Sequence, residues 1–182
     1  MTSSPRPLSP LGWEHAAADV PATGLHVARA AEPGEREAIA RALDLLACTR
    51  LEADYTLTPS GDGRYRLRGR LGCEVVQACG VTLEPVAGAV AEELDVPFWP
   101  ADEIPLPRSG AFDLDGEEDP EPITAGRIAV GRFIYECLAA ALDPFPRKPE
   151  AALEQSATPG ADGSAGGSGN PFAVLASLRA KR

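Results

Sequence analysis

Apolar and polar residues alternate with period two along three stretches of the chain and recur at helical spacing along two others, which predicts most of an architecture. Residues 25–30, LHVARA, predict a short strand with Leu25 and Val27 on one face and His26 on the other. From Glu35 to Ala47, the sequence EREAIARALDLLA puts Ile39, Leu43 and Leu46 on one side and Glu37, Arg41 and Asp44 opposite. That is an amphipathic helix, and Glu35 and Glu37 in its first turn suit the positive end of the helix dipole. LEADYTL, residues 51–57, then alternates Leu51, Ala53, Tyr55 and Leu57 with polar residues, the signature of a half-buried strand. TPSGDG predicts a turn, after which Tyr65, Leu67, Leu71, Cys73 and Val75 face inward and Arg64, Arg66, Arg68 and Arg70 face outward.

This return strand runs to about Ala78. A second turn leads into another long strand marked by Val86, Gly88, Val90, Leu94, Val96 and Phe98, with Glu92 interrupting its inner face. Pro97, Pro100, Pro105 and Pro107 predict the end of regular structure, because proline removes ladder donors and biases its neighbours away from helix. From Val130 to Leu142, Val130, Phe133, Ile134, Cys137, Leu138 and Ala141 share one helical face, and Asp143-Pro144 with Pro146 stops that helix. The expected fold is α+β: an antiparallel β-sheet, a meander of long hairpins, packed with two amphipathic helices, plus a flexible C-terminal tail carrying a short helix.

Composition adds the boundaries. The chain has 182 residues, of which 44% are hydrophobic, enough for one domain of ordinary size with residues left for tails. Its 18 glycines and 18 prolines cluster toward the C-terminal half, so the core is expected before residue 150. Residues 1–24, opening MTSSPRPLSP, read as an extended lead-in rather than a targeting signal. Residues 25–150 form the domain, and residues 151–169, ending GADGSAGGSG, are a flexible linker by composition. In residues 170–182, Asn170-Pro171 offers an N-cap and an N1 proline to a short helix. Phe172, Val174, Leu175 and Leu178 give that helix an apolar arc, and Arg179, Lys181 and Arg182 give it a basic end. Such a tail either caps the chain's own core or, preceded by a flexible linker, docks on another molecule.

Charge and candidate chemistry narrow the function classes. A formal net charge of -10 argues against nonspecific, charge-driven nucleic-acid binding, so any RNA contact has to be local. The outward arginines are the local candidate, since alternate strand residues lie about 6.6–6.8 Å apart, near the spacing of successive phosphates. The competing reading pairs Tyr55 with Leu67 and makes Asp54–Arg68 and Glu52–Arg70 ordinary cross-strand ion pairs, leaving Arg64 and Arg66 as the better contacts for RNA or a partner protein. Cys48, Cys73, Cys79 and Cys137 lack the short paired spacing of a zinc knuckle or redox dithiol and read as buried or idle thiols. His15 and His26 lack a nucleophile-carboxylate pattern and receive no role. Residues 113–121, DLDGEEDPE, lack calcium-loop spacing and read as a solvated acidic loop. No apolar run approaches the roughly 18 residues of a membrane helix, and a cytoplasmic protein without membrane contact is expected. Without paired catalytic histidines, a metal-ligand cluster or a phosphate-cradling glycine loop, the chain predicts no enzyme, cofactor or metal.

Two stretches together resemble the YceD family, the large ribosomal RNA subunit accumulation proteins. VVQACGVTLEPV, residues 75–86, looks like the alphaproteobacterial form of the family's central turn, and NPFAVLASLRAKR resembles its ending. The stretch from Ile128 to Pro146 also fits the family order, so the resemblance covers nearly the whole chain from about Trp13. Many relatives carry Cys-Gln-Arg-Cys at the turn, where this chain has Val76-Gln77-Ala78-Cys79. With the first cysteine absent, a two-cysteine metal or redox role does not transfer. Gln77, Cys79, Leu83, Glu84 and Pro85 retain the turn, with Pro85 fixing φ before the second strand and Leu83 placed to tuck inward.

The resemblance implies a non-catalytic role in accumulation or processing of large-subunit (23S) ribosomal RNA during ribosome assembly. The implied partners are precursor 23S rRNA, a large ribosomal subunit particle or a ribosomal protein. The alternative is an acidic adaptor that binds a ribosomal protein or assembly factor without touching RNA.

Overall fold

The structure is a computed structural model that describes residues 9–104 and 119–149. The chain divides into a unit of residues Met1–Ala151 and a unit of residues Ala152–Arg182, and everything described belongs to the first. The expected linker, the 170–182 helix, residues 1–8 and the acidic run through residue 118 lie outside the described residues.

The fold grows from one long hairpin. Strands β3 (Ala47–Gly61) and β4 (Arg64–Ala78) are joined by Asp62-Gly63, whose φ angles are 51° and 72°. Two successive left-handed residues twist a two-residue turn to match the strands beside it, and Asp-Gly adopts that geometry readily. This turn, with a one-residue register shift between Pro59 and Gly61, sets Leu57 opposite Leu67 and Tyr55 opposite Gly69, so Asp54 faces Arg70 and Glu52 faces Gly72. The expected pairing of Tyr55 with Leu67 is therefore two residues out, because it allowed a longer loop than the chain uses.

Strand β5 (Pro85–Pro100) returns along the whole of β4, and Pro97 lies within it rather than ending it. On the other side β2 (Leu25–Ala30) pairs antiparallel with β3, Leu25 opposite Leu57. β6 (Glu121–Thr124) runs parallel to the last three residues of β5, and β7 (Arg127–Ile128) and β1 (His15–Ala16) extend it to a seven-stranded sheet ordered β1-β7-β6-β5-β4-β3-β2. The sheet is thus mixed, not the wholly antiparallel meander expected. The chain between β5 and β6 permits the parallel return that a tight hairpin forbids.

Two helices complete an α+β fold. α1 (Pro33–Ala42) starts from a capping box, in which Glu32 and Glu35 each satisfy the other's backbone N–H, with proline at its first turn. It ends earlier than its apolar spacing suggests: Asp44 adopts φ 53°, and the chain leaves for β3. Ile39 is fully buried as expected, but Leu46, expected on the same stripe, is 54% exposed, and Leu45 is buried in its place. α2 (Val130–Ala141) buries Val130, Ile134 and Leu138 on the face the spacing predicts, and Phe133 meets Phe98 edge to face at 6.4 Å.

The segment before β1 is part of the core. Leu11 and Trp13 are buried, Gly131 N–H donates to the Trp13 carbonyl at 2.8 Å, and Trp13 Nε1 donates to Glu35 at 2.8 Å. Arg29 lies 4.7 Å over the indole, a cation–π contact.

His15 meets the buried Tyr55 hydroxyl at 2.8 Å. Burial pushes the phenol up to about 12, so it keeps its proton, and the pKa of His15 is lowered first by burial and further by Arg29. A folded-state pKa below the ordinary 6.5 means the unfolded chain binds the proton more readily, so stability falls as pH drops through and below 6.5. Thermal melts from pH 7.5 to 5 are expected to show a component of this decline that His15→Asn removes.

Candidate functional site

The four outward arginines are occupied. Arg64 meets Glu103 at 2.9 Å and lies 4.1 Å over the Trp99 ring. Arg66 and Arg68 share the Asp95 carboxylate, the latter at 3.1 Å, and Arg70 reaches Asp54 at 3.7 Å. Arg66 above all, and Arg68 with it, hold the Asp95 carboxyl below its ordinary value. The expectation that Arg64 and Arg66 lack partners is overturned, because their carboxylates come from β5 and the residues just after it, beyond the hairpin considered on its own. Arg64 and Arg66 are the half-buried members, 37% and 35% exposed, whereas Arg68 and Arg70 are 70% and 76% exposed. Beside the latter pair an open trough crosses four strands, floored by Ala28, Gly72 and Ala91 and walled by Asp54, Arg70 and Glu93. Its charges are of mixed sign.

The turn between β4 and β5 lies where the sequence places it, from Cys79 to Glu84, and Pro85 opens β5. Its loop closes on itself. Cys79 N–H donates to the Glu84 carbonyl at 2.8 Å, and Leu83 N–H donates back to the Cys79 carbonyl at 2.9 Å. Leu83 reaches this geometry with φ 60°, and its side chain points out, 77% exposed, not inward as expected. Cys79 takes the interior instead, fully buried, with its sulfur accepting the Thr82 N–H at 3.5 Å. Thr82 first, then the Lys148 and Val81 N–H groups, pull its thiol down to about 6. Ultraviolet titration of thiolate is therefore expected to find one of the four cysteines ionising near pH 6, and Cys79→Ser should abolish that step.

The chain after α2 clips onto this turn. Gln77 Nε2 donates to the Asp143 carbonyl at 2.9 Å, Gly80 N–H to the Pro146 carbonyl at 2.9 Å, and Lys148 Nζ meets Glu84 at 2.9 Å. Gln77 and Glu84 thus serve as fasteners. Three large hydrophobic side chains are exposed among the described residues: Leu46, Leu83 and Phe145, at 54%, 77% and 74%. All belong to this end of the sheet. Leu46 N–H bonds the Val76 carbonyl at 2.8 Å, Leu83 is in the turn, and Phe145 is in the clip. Sequence reasoning missed Leu46 by assigning it to the helix stripe and Phe145 by reading ALDPFP only as a helix stop.

Cys48 and Cys73 come together on the inner face, their sulfurs 3.7 Å apart, which no short spacing in the sequence signals. Among the described residues no group of His, Cys, Asp and Glu is arranged to hold a metal ion, and no helix is long and apolar enough to cross a membrane. Asn170, Pro171, Phe172, Val174, Leu175, Leu178, Arg179, Lys181 and Arg182 lie outside the described residues. Compared with protein-family models, curated proteins and solved structures, the chain matches none.

Proposed function

We propose that the protein is a non-catalytic factor in the accumulation and processing of large-subunit (23S) ribosomal RNA, acting as an adaptor that grips a ribosomal protein or assembly factor. The observation that carries this reading is the exposure of Leu46, Leu83 and Phe145 around a turn held shut by its own hydrogen bonds and by the clip. Large apolar side chains exposed at one end of a sheet suit a protein partner. That same turn carries the resemblance to the YceD family. The net charge of -10 and the internally paired arginines favour protein, including a basic ribosomal protein, over bare phosphate.

Direct RNA contact is the second reading, favoured by the 70% and 76% exposure of Arg68 and Arg70. Salt separates the two. The adaptor is expected to capture a large-subunit protein and to show no tight, steeply salt-dependent binding to a precursor 23S fragment. A steep salt slope lost on reversing Arg68 and Arg70 would favour RNA.

Leu83→Ser with Phe145→Ser is expected to shift the thermal midpoint by no more than about 4 °C, since surface changes are usually within about 0.5 kcal/mol each. The same double variant should lower co-sedimentation with large-subunit particles about tenfold, through loss of roughly 1.4 kcal/mol of contact. Unchanged co-sedimentation would remove the turn from the interface.

A further inference from the structure

A one-residue irregularity in the hairpin creates a site of its own. From Leu51↔Cys73 to Leu57↔Leu67 the β3–β4 register is unbroken, but it shifts between Cys48 and Arg50, so that Cys48 faces Val75. Without the bulge Thr49 would stand opposite Val75 and point inward. With it Thr49 turns to solvent, Cys48 turns in at 7% exposure, and its sulfur comes to rest 3.7 Å from that of Cys73. The other two thiols are elsewhere, Cys79 in the β4–β5 turn and Cys137 on α2. We propose that Cys48 and Cys73 form a cross-strand dithiol that a hydroperoxide oxidises to a reversible intramolecular disulfide.

The two sulfurs are unequal in a way that assigns the steps. Cys48 lies near the start of β3, next to exposed Thr49 and Arg50, and is the more accessible of the two. The sulfur–sulfur contact lowers the Cys48 thiol from its ordinary value, Arg36 lowers it further, and the same contact together with burial raises Cys73. Cys48 is then the attacking sulfur and Cys73 the resolving one. The Cys48 thiolate attacks one peroxide oxygen, an S–O bond forms as the O–O bond breaks, and the departing oxygen takes a proton and leaves as water or an alcohol. The Cys73 sulfur then attacks Cys48, an S–S bond forms as the S–O bond breaks, and hydroxide leaves with the Cys73 proton as a second water. Two thiols are oxidised by two electrons, and the peroxide is reduced by the same two. The sulfurs have to close from 3.7 Å to about 2.05 Å, a movement that a bulge at the end of a strand accommodates.

The experiment treats the full-length protein with a small excess of hydrogen peroxide without reductant, then alkylates under denaturing conditions and maps the peptides. The expected result is a fall from four alkylatable thiols to two, a Cys48–Cys73 linked peptide, reversal by dithiothreitol, and a thermal midpoint raised by roughly 5–10 °C from closing a loop of this length. A Cys79→Ser, Cys137→Ser double variant keeps the pair and should behave the same way, while Cys48→Ala should keep all three of its thiols. Retention of four thiols in the wild-type chain, a linkage through Cys79 or Cys137, or sulfinic acid at Cys48 without a disulfide would overturn the proposal.

Discussion

Gly69→Ala will destabilise the protein by about 3 kcal/mol or more, a large share of the roughly 5–15 kcal/mol that holds an ordinary domain together. Gly69 stands opposite Tyr55 in the middle of the β3–β4 hairpin, and the backbones approach there more closely than a side chain permits. A Cβ would lie 2.5 Å from Tyr55 Cα and 2.7 Å from Tyr55 Cβ, and closer still to the Asp54 carbonyl oxygen. These are backbone and branch-point atoms, so no rotamer change relieves the overlap. The strands have to separate, and Tyr55 holds His15 while Asp54 holds His26 and Arg70. Urea unfolding checks the magnitude. Gly72→Ala, three residues along the same strand with nothing within 4 Å of its Cβ, is the control and should cost less than about 1 kcal/mol. Equal stability of the two variants would refute the close approach.

Trp13→Ala should cost about 3–5 kcal/mol. The indole is fully buried, and it ties together parts of the chain that are distant in sequence: its ring lies under Arg29 of β2, its Nε1 binds Glu35 of α1, and its carbonyl accepts the Gly131 N–H of α2. Removing the ring leaves a cavity and takes one hydrogen bond from the Glu35 carboxylate, whereas Trp13→Phe keeps most of the apolar area and should cost less than half as much. Denaturant midpoints of the two variants measure the difference. A loss below about 1 kcal/mol in Trp13→Ala would mean that the segment before β1 is not docked in solution.

Local chemistry was legible in the sequence where it acts within a few residues. The α2 face is set by spacing alone, and the ends of β4 and β5 at Ala78 and Pro85 follow from a turn with a proline behind it. Leu46 was misplaced because three apolar residues at helical spacing say nothing of where the backbone stops being helical, which the left-handed Asp44 decides. The arginine stripe was read correctly as a face and incorrectly as half unpaired, since Asp95 and Glu103 are about 30 to 40 residues away and reach it only once β5 is laid on β4. Trp13 lacked any periodic neighbour to mark it as core. The cysteine pair depended on a bulge, and a single inserted residue exchanges which side chain faces inward without altering composition or pattern.

The bond from Ser9 Oγ to the Gly131 carbonyl spans 122 residues of sequence. A ribosome adding about 5–20 residues per second needs roughly 6–24 s to make the chain between those two residues. The β3–β4 hairpin, closed by a two-residue turn, has all of its partners within a much shorter length and can form well before then. The side of the core that Leu11 and Trp13 cover stays open to chaperones and to aggregation until α2 is made. The order of assembly is therefore the reverse of the order of synthesis at the N-terminus, where the earliest described residues are among the last to find their place.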